Sequence, residues 1–140
     1  MKIELNEFNI IAGRIDHLYH EAALKLGMSD SELDIFYIIA TYGNGCNQSL
    51  LYKETGMRKS TVNTSIHKLE KEEVIYLKAG EGRNKKVYVT SKGMDYLHRV
   101  EKIIEIENKI YCSWSEEERQ LFIKLNERYA TQLEEEIKNL

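Results

Sequence analysis

Within MRKSTVNTSIHKLEKE, residues 57–72, Ser60, Thr64, His67 and Lys71 recur at helical spacing, with Thr61 and Lys68 on one flank and Asn63 on the other. At ~100° per residue they share one face, and Val62, Ile66 and Leu69 fall together on the opposite one. The polar face has no carboxylate before Glu70. A solvated helix ordinarily mixes acids with bases, so a surface of hydroxyls, an amide and lysines suits base edges and phosphates. A second candidate follows in YLKAGEGRNKKVYVTSKG, residues 76–93, where Arg83, Lys85 and Lys86 outnumber Glu81 at a glycine-rich tip. Glycines there permit a tight reversal and close approach to a charged partner. An ordinary solvated hairpin tip has the same composition, and the tip alone does not separate the two readings.

Those residues need elements to hold them. Phe8, Ile11, Ile15, Leu18, Ala22 and Leu26 recur every three or four positions, which predicts a helix ended by Gly27. Asp30 or Ser31 is the expected cap of a second helix, with Leu33, Phe36, Tyr37 and Ala40 as its stripe, widened by Ile35, Ile38 and Ile39, and Gly43-Asn44-Gly45 as its stop. A short helix over Gln48–Thr55 breaks at Gly56 and leads into the polar-faced helix, a helix-turn-helix pattern. The hairpin comes next: Ile75 and Leu77 share one strand face, Val87 and Val89 do the same, and Tyr76 and Tyr88 point the other way or pack at the rim. Thr90 or Ser91 is expected to cap a long helix from about Lys92 to Tyr111, with Leu97, Val100, Ile103, Ile104 and Ile110 inward. Ser115 and Glu118 are spaced as a capping box for a last helix with Leu121, Phe122, Leu125, Tyr129, Leu133 and Ile137 at near-heptad spacing.

Composition bounds the function. The 140 residues, 42% hydrophobic and 31% charged, suit one domain with a real core. With no long apolar run and no signal-like start, a soluble, cytoplasmic protein with no membrane partner is expected. Two cysteines, Cys46 and Cys112, are too sparse for a disulfide framework. The net charge of −3 is unevenly spread. Residues 47–100 hold 11 basic and 6 acidic side chains, a surplus of +5, while residues 1–46 (3 and 7) and 101–140 (6 and 10) are each at −4. That distribution predicts a basic working surface on an acidic frame. The glycines of GEGRN lack the strand-to-helix setting and the lysine-serine ending of a phosphate loop, so an enzyme is not expected, nor any cofactor. The long terminal helices carry stripes that need covering, by each other or by a second copy, and a symmetric dimer satisfies both.

The order of elements, and GMRKSTVNTSIHKLEKEEVIYLKAGEGRNKKVYVTSKG above all (residues 56–93), resemble the MarR (multiple antibiotic resistance regulator) family of winged-helix transcription regulators. The resemblance covers nearly the whole chain and includes a T-x-K-G sequence after the hairpin. It departs from the family at Glu81-Gly82-Arg83, where an Asp-x-Arg pair is usual, at Arg58, where a hydroxyl or aspartate is common, and at Tyr52 and Thr55, where a small residue and a leucine are usual. The resemblance implies a mainly α fold: a winged helix-turn-helix lobe at 28–92, a small β-hairpin wing, and long N- and C-terminal dimerisation helices at 1–27 and 93–140, together a single domain of 1–140. It implies a homodimeric, ligand-responsive repressor that reads a palindromic operator in double-stranded DNA.

On that basis Ser60, Thr61, Asn63 and Thr64 meet bases in the major groove, and Lys59 and Lys68 meet phosphates. Asn63 is the candidate for a bidentate adenine contact, and His67 either reaches phosphate or stays in solvent. Arg83, oriented by Glu81 and flanked by Lys85 and Lys86, enters the minor groove. A small-molecule effector is expected between the dimerisation and DNA-binding lobes. Three alternatives stay open: a winged-helix module that binds protein, a metal sensor using His17, His20 and Glu21 at i, i+3 and i+4, and a redox sensor using Cys46 or Cys112.

Overall fold

The computed structural model describes residues 1–140. It contains six helices, α1 (Asn6–Lys25), α2 (Asp30–Tyr42), α3 (Gln48–Glu54), α4 (Lys59–Lys71), α5 (Met94–Ser113) and α6 (Glu116–Ile137), and three strands, β1 (Cys46–Asn47), β2 (Ile75–Ala79) and β3 (Lys85–Val89). By packing, the chain divides into two compact units, Met1–Ile103 and Ile104–Leu140.

The core of the first unit forms where apolar stripes converge. Leu33, Ile35, Phe36, Ile38 and Ile39 of α2, Leu51 of α3, Val62, Ile66 and Leu69 of α4, Val87 and Val89 of β3 and Leu97, Val100 and Ile103 of α5 are all buried. Side chains of this size each contribute ~1.5–3 kcal/mol when fully removed from water. Phe36 stacks on Tyr96 with ring centroids 5.0 Å apart, and the Arg99 guanidinium, paired with Asp95, lies 4.9 Å from the Tyr96 ring and donates to the Leu26 carbonyl at 3.2 Å.

Local chemistry decides the boundaries. The α2 cap is Ser29, one residue before the expected Asp30 or Ser31. Its hydroxyl accepts from the Glu32 amide at 3.1 Å while the Glu32 carboxylate accepts from the Ser29 amide at 2.8 Å, a capping box that satisfies two donors at once. The box expected at Ser115 and Glu118 does form. Thr90 rather than Ser91 opens α5, and one hydroxyl joins three elements there: Thr90 Oγ1 accepts from the Gly93 amide at 3.1 Å and donates to the Glu73 carbonyl at 2.6 Å, at the end of α4. Ile110, expected inward, is exposed, because helical period marks an apolar face without saying whether this chain covers it.

In the second unit Tyr111, Trp114 and Phe122 cluster at the turn between α5 and α6, with Trp114 and Phe122 edge to face at 5.2 Å. Beyond that cluster α6 has no buried residue.

One carboxyl in the first unit is under electrostatic stress. Asp34, half-buried on α2, has its pKa pushed up to about 6, first by burial and then by the neighbouring carboxylates of Asp30 and Asp16. The folded state therefore holds this proton more tightly than the unfolded chain. Its contribution is greatest below about pH 4 and is lost as pH rises through about 6. Solvent screening at a half-exposed site reduces the effect to about 1 kcal/mol. Asp34→Asn is expected to raise unfolding free energy at pH 7 by that amount and to flatten this part of the stability profile between pH 4 and 7; denaturant titration at the two pH values checks both.

Candidate nucleic-acid interface

Burial of Val62, Ile66 and Leu69 fixes the rotation of α4. Lys59, Ser60, Thr61, Thr64, His67, Lys68 and Lys71 are consequently exposed, and Asn63 is half-buried at the edge of the face. The helix has Arg58 at its N-cap with no side-chain cap hydrogen bond and no acid in its first turn, so its leading amides suit a phosphate oxygen. Thr64 Oγ1 donates to the Ser60 carbonyl at 2.9 Å, which leaves this hydroxyl as an acceptor. His67 Nδ1 stands 3.8 Å from the Glu70 carboxylate, and both Glu70 and Lys71 lie at the far end of the face.

Two residues outside the expected set join the site. Gln48 Nε2 donates to the Tyr52 hydroxyl at 2.9 Å, and that hydroxyl donates to Asn63 Oδ1. The Lys59 ammonium lies 5.3 Å from the centre of the Tyr52 ring. Tyr52 therefore braces two members of the α4 face from α3. The signal available in sequence was its bulk, at a position where the resembled family carries a small residue.

The hairpin pairs as its alternation predicts, with Ile75 opposite Val89, Tyr76 opposite Tyr88 and Leu77 opposite Val87. Tyr76 and Tyr88 stack at 5.3 Å, and Lys78 lies 5.8 and 5.4 Å from the two rings. A third strand was not expected: β1 pairs with β3, placing Cys46 opposite Val87 and Asn47 opposite Lys86, which fastens the hairpin to the segment before α3. At the tip Gly82 has φ +64°, a left-handed conformation that a side chain strains. The Gly80 amide donates to the Asn84 carbonyl at 2.8 Å. Glu81, Arg83, Lys85 and Lys86 are all exposed. The ion pairs of the chain do not include Glu81 with Arg83.

The sensing candidates do not assemble. His20 turns to Asp30, with Nδ1 2.9 Å from both carboxylate oxygens, while His17 pairs with Glu21 at 3.5 Å. No group of three or more His, Cys, Asp or Glu residues is arranged to hold a metal ion. Cys46 is buried, and burial pushes its thiol pKa up, the opposite of what thiolate reactivity needs. Cys112 is exposed on α5.

A helix-turn-helix followed by a hairpin, within a mainly helical chain that has one small three-stranded antiparallel sheet, is a winged helix. Residues 26–83 match the sequence model of the MarR family, and the fold is that of MarR family transcription regulators, so the resemblance carried by residues 56–93 is borne out. A MarR family regulator from Neisseria meningitidis superimposes with a TM-score of 0.81 at 17% identity, covering 99% of this chain and 100% of that one. MepR from Staphylococcus aureus, solved as a DNA complex, gives 0.70 at 17% identity, covering 95% and 99%. The PcaV regulator from Streptomyces coelicolor, solved with its natural ligand, gives 0.66 at 14% identity, covering 94% and 97%. At these identities the likeness is one of fold. Comparison with curated proteins produced no match. No helix is long and apolar enough to cross a membrane.

Proposed function

We propose that this chain is a sequence-specific, double-stranded DNA-binding transcription regulator, a cytoplasmic homodimer that acts as a ligand-responsive repressor at a palindromic operator. The observation that carries the reading is the outward face of α4, with hydroxyls, an amide and lysines but no acid through its first turns, in the same compact unit as a hairpin tip bearing Arg83, Lys85 and Lys86. In the major groove Ser60, Thr61, Asn63 and Thr64 meet base edges, while Lys59, Lys68 and His67 meet phosphates. The wing lays Arg83 in the minor groove with Lys85 and Lys86 beside it.

The dimer is supported by the apolar residues left exposed on the terminal helices, among them Ile11, Ile15 and Leu18 of α1 and Leu121, Leu125, Leu133 and Ile137 of α6. A second copy covers such stripes and sets two α4 helices about 34 Å apart, one turn of duplex. A small molecule that binds the two spacings with different affinity then regulates the protein; the ligand-bound PcaV structure supports this part of the reading. Selection of bound duplexes from a random pool is expected to enrich a palindrome whose half-sites lie one helical turn apart. Enrichment of a single unrepeated half-site would remove the dimer from the reading, and no enrichment would remove specific DNA binding itself.

A further inference from the structure

Asn63 does not reach the α4 surface with both ends of its amide free. Gln48 Nε2 donates to the Tyr52 hydroxyl at 2.9 Å, and the hydroxyl, with its one proton, donates to Asn63 Oδ1. The chain of donors runs one way, from α3 into one of the two lone pairs of the Asn63 carbonyl, which ties that end of the amide to α3 and leaves the amide end, with two N–H donors, as the end not held by α3. An asparagine that grips adenine uses both ends, accepting from N6–H and donating to N7, whereas guanine presents two acceptors, N7 and O6.

We infer that Tyr52, polarised by Gln48, is a specificity-determining positioning residue that presents Asn63 to DNA as a donor, so that Asn63 selects guanine in place of the adenine expected from an unrestrained asparagine. The inference rests on the DNA-reading function proposed above. Lys59, 5.3 Å from the Tyr52 ring centre, belongs to the same brace, and the phosphate contact and the base contact are therefore held by one side chain. A merely structural tyrosine affects stability alone. This one also sets which base is preferred.

The test is a selection of duplexes from a random pool, run in parallel on the wild-type chain and three variants. Asn63→Ala identifies the position, because preference flattens there and in its symmetry mate. Tyr52→Phe keeps the ring against Lys59 and removes the hydroxyl proton directed at Asn63. At that position the guanine-to-adenine ratio is expected to fall ~10-fold, with all other positions and the salt dependence unchanged. Gln48→Glu reverses the chain, since a carboxylate accepts a hydrogen bond from the phenol O–H and the phenol oxygen then accepts from the Asn63 amide. Preference is expected to move to a base that offers a donor, adenine or cytosine. Wild-type and variant selections that agree in base preference at every position would overturn this inference and leave the DNA-reading function standing, as would a wild-type preference for adenine at the Asn63 position. Failure of the wild type to enrich any sequence would overturn that function and the inference with it.

Discussion

Gly93→Ala is expected to destabilise the protein by about 3 kcal/mol or more, a larger effect than any surface substitution should produce. A Cβ at this position stands 2.1 Å from the Val74 carbonyl oxygen and 2.6 Å from Val89 Cγ1. The first of these is a backbone atom and cannot swing aside as a side chain can. The segment is also doubly committed, because the Gly93 amide donates to Thr90 Oγ1, and that hydroxyl donates to the Glu73 carbonyl at the end of α4. Displacing Gly93 thus loosens the junction of the α4 terminus, the base of the hairpin and the start of α5. Urea unfolding measures the destabilisation directly. Gly13→Ala is the internal control: Gly13 lies within α1 with nothing within 4 Å of an added Cβ, and alanine there is expected to stabilise by up to ~1 kcal/mol. A Gly93→Ala protein within about 1 kcal/mol of wild type would show that the backbone approach is not as close as described.

The second large effect concerns the wing. Arg83 is exposed at the hairpin tip and Lys85 and Lys86 are exposed at the start of β3, whose register is set by Val87 and Val89 in the core, so removing all three charges leaves the fold in place. The triple variant Arg83→Ala, Lys85→Ala, Lys86→Ala is expected to bind its operator roughly 100-fold more weakly at low salt, with the log–log salt slope shallower by ~0.9 for each phosphate that these side chains neutralise in the wild type. Base preference at the positions read by α4 should survive, because these three residues are assigned to backbone and minor groove. Fluorescence anisotropy across a salt series separates the two effects. Unchanged affinity would mean that the tip stays in solvent.

The parts of this structure that were legible in the sequence are those where local period and burial agree. Val62, Ile66 and Leu69 share one stripe because α4 is long enough for its period to show, and the Ile75 to Val89 pairing follows from strict alternation on both strands. Strand β1 was not legible: two residues have no period, and what makes Cys46 and Asn47 a strand is pairing with Val87 and Lys86, far along the chain. Ser29, Asp30 and Ser31 are all good caps by type, and the choice of Ser29 depends on Glu32 three residues later, whose carboxylate closes the reciprocal pair.

In the site, the exposed members of the α4 face followed from the stripe behind them. The contact between Tyr52 and Asn63 did not, because it crosses the turn between α3 and α4 and depends on how the two helices pack. Burial of the apolar positions of α1, α6 and the end of α5 was the least legible property of all. A periodic stripe reports that a helix wants a partner, and Ile110 and Leu125 remain exposed in this chain despite regular spacing.

Whether the α4 face and the wing form one surface for duplex DNA is tested most directly by the affinity of the 140-residue chain for its selected duplex over a series of salt concentrations. A steep linear fall of log affinity with log salt is expected, with a slope near about −0.9 for every phosphate contacted and a shallower slope for the triple wing variant. Absence of duplex binding at low salt, or binding indifferent to salt, would contradict it.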